Sequence, residues 1–143
     1  MIVSHTNGII PENPEIIWVF GSNLAGRHGA GAAKIAMKYF GAKYGNPEGP
    51  QGRSWAIPTK DKDIKTLPLD KIALSVANFV AASGAIKQPK HFFITSIGCG
   101  LAGYKPEEIA PMFKGVSIHY HHIYDFPQSW LQHLLAAKIE EQI

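Results

Sequence analysis

The sequence predicts an α/β fold, a sandwich on a mixed, mainly parallel central sheet. Apolar runs rich in β-branched and aromatic residues alternate along the chain with stretches of helical periodicity, the order that parallel crossover units require. Two of these runs end in glycine-rich segments, Gly21–Gly31 and Gly98–Tyr104, and each segment opens a helix-like stretch.

The elements follow in order. Met1 to Ser4 suits an edge strand, and Pro11, Asn13 and Pro14 punctuate the chain before Ile16-Ile17-Trp18-Val19-Phe20, a buried strand. Ala32, Ala33, Ile35, Ala36, Met37, Tyr39 and Phe40 fit a helix ended by Gly41, with Lys34 and Lys38 on its polar face. Residues 45–53 hold the densest cluster of breakers and read as a loop. Ser54 to Pro58 resumes as a short strand that Pro58 should end, because proline cannot donate to a ladder. Thr59 to Asp63 then reads as a charged loop. Leu69 to Ala82 is an amphipathic helix, its stripe formed by Leu69, Ile72, Ala73, Val76, Phe79 and Val80, and Gly84 closes it. His91 to Ile97 is the clearest strand. Pro106, Glu107 and Glu108 open a further helix, with proline early and acids in the first turn. Val116 to Tyr124 reads as a last strand, and Ser129 caps a helix running through Ile139.

Bulk properties bound the function. The 143 residues make one domain, 1–143, with enough chain for a hydrophobic core. A hydrophobic content of 45% with 17% charged residues excludes a disordered or fibrous chain. The formal charge of +3 comes from scattered lysines and arginines, which suits anionic ligands without the basic stripe of a nucleic-acid binder. The single cysteine, Cys99, cannot form an internal disulfide, and the first residues lack the apolar core of a signal peptide. A cytoplasmic location and no membrane partner are the expectations, with the oligomeric state left open.

A strand that ends in a glycine loop and opens a helix presents unpaired amides and the positive end of a helix dipole, the surroundings an anion prefers. Two such loops suit a diphosphate held outside the carboxyl ends of the strands. The candidate ligand-binding residues are therefore Gly29, Ala30 and Gly31 in the first loop, and Gly98, Cys99, Gly100, Leu101, Ala102 and Gly103 in the second. Close helix packing is the alternative use of the glycines. Asn23 stands just past a strand, where its amide can meet ribose hydroxyls or simply shape a turn. Arg27 and His28 flank the same loop and face either ligand or water. Lys60 is the candidate catalytic residue, since an amine at a strand end becomes nucleophilic when desolvated. Its alternative is a solvated lysine paired with Asp61 or Asp63. Cys99 lies where a helix terminus lowers a thiol pKa, or is a small buried side chain. Tyr104 either covers a ribose or base or packs beside Pro106. His119 and His121 would share a strand face, but with only Asp125 near them they do not build a metal site, and no cofactor is expected.

With these motifs placed, residues 16 to 113 resemble the macrodomains, the ADP-ribose-binding fold. The likeness rests on Val19-Phe20-Gly21-Ser22-Asn23 before His28-Gly29-Ala30-Gly31-Ala32-Ala33, and on Ile97-Gly98-Cys99-Gly100-Leu101-Ala102-Gly103-Tyr104. The step Ile57-Pro58-Thr59-Lys60 is similar to the branch that contains terminal ADP-ribose glycohydrolases and the antitoxins that remove ADP-ribose from DNA. That resemblance implies a three-layer α/β/α sandwich. It also implies ADP-ribose, or an ADP-ribosylated DNA or protein, as partner, with Lys60 attacking the anomeric carbon and Asn23 orienting the distal ribose. Some glycohydrolases of the branch carry an aspartate where this chain has Ala102, whereas the DNA-acting members resemble this chain in lacking it. A Gly-Asp or Gly-Asn step near the N-terminus serves adenine recognition in the family, and here the order is Asn7-Gly8. A binding module without turnover and an α/β interaction scaffold are the alternative functions.

Overall fold

A computed structural model describes residues 1–135. Six strands form one sheet in the order β1-β6-β5-β2-β4-β3. They are β1 (Ile2–His5), β2 (Ile16–Asn23), β3 (Gly49–Gln51), β4 (Ser54–Lys60), β5 (His91–Ile94) and β6 (Ile123–Pro127). Every pairing is parallel except that of β3 with β4. Helices α1 (Gly31–Tyr39), α2 (Leu69–Gly84) and the short α3 (Pro106–Ile109) supply the outer layers, with a 3-10 stretch Ala110–Ile118 continuing α3. The architecture is the three-layer α/β sandwich expected, with its mixed, mainly parallel sheet.

The period-2 alternation of β2 divides the core. Ile16, Trp18 and Phe20 face α1, where they meet Ala33, Ala36, Phe40 and Phe93. Val19 faces the opposite layer with Trp55, Ile57, Phe92 and Ile94, packed under Ile72, Val76 and Phe79 of α2. A central strand covered on both sides must be apolar on both sides, which explains the unbroken run Ile16–Phe20. Alanines at the buried positions of α1 bring that helix close to the sheet, and the Trp18 indole N–H donates to the Ala32 carbonyl at 3.0 Å. The start of α1 is thereby tied to the middle of β2.

Four boundaries differ from the sequence expectation. The breaker-rich loop contains β3, an edge strand with Pro50 within it, paired with β4 only at Ser54–Ala56. Beyond Ala56 that ladder has ended, so Pro58 deprives it of no donor and β4 continues to Lys60, across a register shift at Ser22/Asn23. Strand β5 ends at Ile94, and Thr95 just beyond it donates from both its hydroxyl and its amide to the Val19 carbonyl, at 2.7 and 3.0 Å. The last strand is not Val116–Tyr124. Residues 116–118 end the 3-10 stretch, His119–His122 turn, and β6 begins at Ile123. At the C-terminus a 3-10 turn Gln128–Trp130 leads into helical residues 131–135, and the remainder of the helix expected through Ile139 lies outside the described residues. No described helix is long and apolar enough to cross a membrane.

Candidate functional site

A cleft of about 510 Å³ opens where β2, β4 and β5 end, at the carboxyl edge of the parallel sheet. Its first wall is the chain after β2. Asn23, only 8% exposed, closes a local ring: its Oδ1 accepts from the Arg27 amide at 3.0 Å and its Nδ2 donates to the Arg27 carbonyl at 2.9 Å. Gly26 sits inside that ring in the left-handed region, φ 68°. A Cβ at Gly26 would stand 2.5 Å from the Gly45 carbonyl carbon, so only glycine fits there. Residues 29–33 then line the cleft. The helix N-cap, Ala30, has no side-chain cap and the first turn holds no acid. Its leading amides, which helix geometry leaves without intrahelical acceptors, remain available.

The second wall follows β5. Bonds from Cys99 to Ser96 (3.0 Å), Gly103 to Gly100 (3.1 Å) and Tyr104 to Gly98 (2.9 Å) coil the loop. The amides of Gly100, Leu101 and Ala102 are left without an acceptor among the described residues. Gly98 and Gly103 adopt φ 74° and 87°, which the coil requires. Thr66 Oγ1 donates to the Ala102 carbonyl at 2.9 Å, joining this loop to the segment that leaves β4.

Lys60 ends β4 opposite Asn23, and its carbonyl accepts from the Leu24 amide at 2.9 Å. Neither neighbouring aspartate pairs with its side chain. Asp61 Oδ1 instead accepts from the Asp63 and Lys65 amides at 2.8 and 3.0 Å, folding a tight turn. Ile64 in that turn holds φ 62°, a strained conformation for a β-branched residue, and it stands in the cleft wall. Arg27 and Lys60 are the charged residues among the described residues lining the cleft, and none of these carries a carboxylate. The electrostatic character is set by cations, amide dipoles and a helix N-terminus, all of one sign.

Of the residues expected from sequence, Asn23, Gly29, Ala30, Gly31, Lys60, Gly98, Gly100, Leu101 and Ala102 meet around this cleft. Four do not line it. His28 turns inward and is 2% exposed. Its Nε2 lies 3.1 Å from the Asn46 carbonyl and 3.3 Å from Gln51 Oε1, while its ring meets Phe20 edge-on. Tyr104 packs on the main core and its hydroxyl donates to the Leu67 carbonyl at 2.6 Å, so the ring is spent on holding the α2 approach. Gly103 serves the coil alone. Cys99 packs against the core, where burial, helped by the charge of Glu108, pushes its thiol up to about 11. Of the two alternatives for this residue, the geometry favours the small core-packed side chain over an acidified thiol: α3 begins at Pro106, too far along for its N-terminus to act on the sulfur. Asn23, too, has both ends of its amide engaged within its own loop.

The histidines near the C-terminus form no shared strand face. His121 Nε2 donates to the Ile86 carbonyl at 2.8 Å. His122 is buried between the Lys90 amide (3.0 Å, to Nδ1) and the Ser83 carbonyl (2.9 Å, from Nε2). Sequence reasoning missed the cleft roles of Thr59, Thr95 and Ser96, ordinary strand-end residues that carry no local signal, and the strained turn at Ile64.

A second hollow of about 260 Å³ adjoins the cleft and shares Gly31, Ala32, Thr95 and Ser96 with it. Aromatic rings line one side: His5 stacks on Phe93 at 3.8 Å, and Phe93 stacks on Trp18 at 5.4 Å. Asn7, Ile9, Ile10 and Ile35 line it as well.

No protein-family model matches the chain, and no curated protein matches it in sequence. Among solved structures the fold is similar to one titled "Alphavirus P23pro-zbd", at 16% identity and a TM-score of 0.56. The superposition covers 99% of this chain and 24% of that one, so this chain spans about a quarter of that protein's length. At this identity the likeness is one of fold.

Proposed function

We propose that the cleft binds ADP-ribose, free or as the modification on DNA or protein, as in the macrodomains the sequence resembles. The observation that carries the reading is the pairing of two amide-rich walls, the uncapped start of α1 and the coil 98–103, across a cleft that the described residues line with two cations and no carboxylate. A diphosphate fits between such walls because each offers fixed donors that need no reorganisation. The adjoining hollow, with its stacked rings and isoleucines, suits a nucleobase on the same ligand.

Within this reading Lys60 is the group available for chemistry. Its neutral amine attacks the anomeric carbon of the distal ribose. The glycosidic bond breaks with its electron pair passing to the leaving group, and the proton released from nitrogen passes to solvent. Water then displaces the nitrogen and the free amine returns. Lys60→Ala should abolish release of ADP-ribose from conjugates while calorimetry with free ADP-ribose changes by less than about tenfold. Unchanged turnover in that variant would remove Lys60 from the reaction.

One observation favours a second reading, binding without turnover: among the described residues no carboxylate or imidazole lines the cleft to protonate a leaving group. Wild-type protein that binds ADP-ribose but releases none from either DNA or protein conjugates would establish it. Absence of any heat or thermal shift with ADP-ribose would end both readings.

A further inference from the structure

We propose that Ile64 determines which conjugates the cleft accepts, by packing against an aromatic ring attached to the distal ribose; this deepens the ADP-ribose reading above and rests on it. Ile64 breaks a local rule. Its φ of 62° lies in the left-handed region, which a β-branched side chain enters at a cost that glycine or asparagine largely escapes. Burial does not offset that cost, since the residue is 43% exposed and is packed in neither hydrophobic core. Nor does the turn need its side chain. Asp61 Oδ1 gathers the Asp63 and Lys65 amides, the Asp61 amide donates to the Lys65 carbonyl at 2.7 Å, and the Ile64 amide donates to the Asp61 carbonyl at 3.1 Å. Every one of these bonds would form with another residue at position 64. Of residues 61–65, Ile64 is the one that lines the cleft. Strain kept without structural return in the wall of a site is explained by a use in that site.

Position gives that use its chemistry. Lys60 and Ile64 line the same cleft, and an antiparallel bridge between Lys60 and Thr66 holds the turn against the end of β4. Thr66 also fastens the turn to the Ala102 carbonyl of the second wall, next to Leu101, which is exposed and lines the cleft as well. With the anomeric carbon at Lys60, the group bonded to that carbon lies beside this turn rather than between the two amide walls. An exposed isoleucine offers that group no hydrogen bond. It gains by covering apolar area, of which the face of an aromatic ring presents much and a methyl group little. Ile64 therefore separates aromatic from small substituents on the distal ribose, whereas the walls that hold the diphosphate treat them alike.

The test is calorimetric titration of the full chain with ADP-ribose and with its methyl and benzyl glycosides, substituted at the distal anomeric carbon. Both glycosides would have to release an alkoxide, so the titration reads binding rather than turnover. Wild type should bind the benzyl glycoside at least about fivefold more tightly than the methyl one, from the apolar area covered on Ile64. In Ile64→Gly and Ile64→Asn, residues at ease in the left-handed region, the two glycosides should bind within about twofold of each other and ADP-ribose within about twofold of wild type. The melting temperatures of both variants should lie between the wild-type value and about 3 °C above it, because strain is relieved and no core contact is lost. Wild-type affinities that do not differ, a preference that survives in both variants, or melting temperatures lowered in both by more than about 3 °C would overturn the assignment. The wild-type comparison stands whether or not a variant folds. Binding of ADP-ribose without preference between the glycosides removes the role of Ile64 alone, whereas no binding of ADP-ribose removes the nucleotide reading and this inference together.

Discussion

Three glycines around the first wall separate the effects of backbone conformation and of space, and alanine substitution at each should reveal which matters. At Gly26 the backbone lies at φ 68° and a new Cβ would meet Gly45 C, Asn46 N and Gly45 Cα at 2.5, 2.7 and 2.8 Å, all main-chain atoms that cannot rotate away. The left-handed conformation costs about 1–2 kcal/mol for an L side chain and the forced separation of two backbone segments about 1–3 more, so Gly26→Ala should lose about 3–4 kcal/mol. Gly45 has φ 91° and open space around its Cβ, so only the conformational part, about 1–2 kcal/mol, applies. Gly29 has neither a positive φ nor a neighbour within 4 Å, and Gly29→Ala should change stability by less than about 0.5 kcal/mol. At about 3 °C per kcal/mol for a domain of this size, the melting temperatures should fall by about 10, 5 and 1 °C in that order. Thermal unfolding followed by circular dichroism reads all three. Equal losses for Gly26→Ala and Gly45→Ala would show that the close approach of the two loops is not a constraint on the fold.

Two further outcomes follow from titratable groups. Because Cys99 is held protonated up to about pH 11, iodoacetamide at pH 8 should alkylate it far more slowly in the native protein than in urea; a native rate equal to that of a free thiol would contradict its packing. The pKa of His122 is lowered by burial first and then by His121, so the folded state favours the neutral ring while the unfolded chain takes up a proton as pH falls through about 6.5. Stability should therefore decline on acidification below that value, and His122→Gln, which can bond both Lys90 and Ser83 without titrating, should lose part of that decline in urea melts at pH 7.5 and 5.5. An identical pH dependence in the two proteins would show that His122 does not contribute.

The elements legible in the sequence were those whose pattern is local. The run Ile16–Phe20 and the stripe of α2 announce themselves because burial on two faces, or on one, writes directly into residue order. Strand β3 was hidden by Gly49 and Pro50: an edge strand of three residues needs few donors, so its composition is that of a loop. The extension of β4 through Pro58 was hidden for the related reason that a missing donor matters only where a partner strand continues, which is a tertiary fact. Val116–Ile118 has the residues of a strand, yet Val116 packs into the core from the 3-10 stretch, so apolar burial rather than strand pairing accounts for its residue type.

The candidate site divides along the same line. Its glycines were visible, since backbone approach and positive φ demand them. The side chains beside them were judged less well: His28 and Tyr104 stand next to the loops in sequence but are turned away by Gln51 and Leu67, partners far along the chain. Arg27 and Lys60 reach the cleft, whereas His5, Asn7 and the hollow they line are assembled from β1, β5 and α1 and have no contiguous signature.

Recognition through amides and catalysis through one amine make different demands on a ligand. The walls offer donors to any diphosphate and therefore favour affinity without naming what is attached to the distal ribose. Under the proposed reading Lys60 supplies a nucleophile, but among the described residues no carboxylate or imidazole in the cleft lining supplies a proton to what departs. If the amine is the attacking group, the linkage it breaks must be one whose leaving group is stable as it leaves, a carboxylate or a ring nitrogen of a base, rather than the alkoxide of a serine. The absence of an acid at Ala102 is then not a defect in the site but a restriction on its substrates.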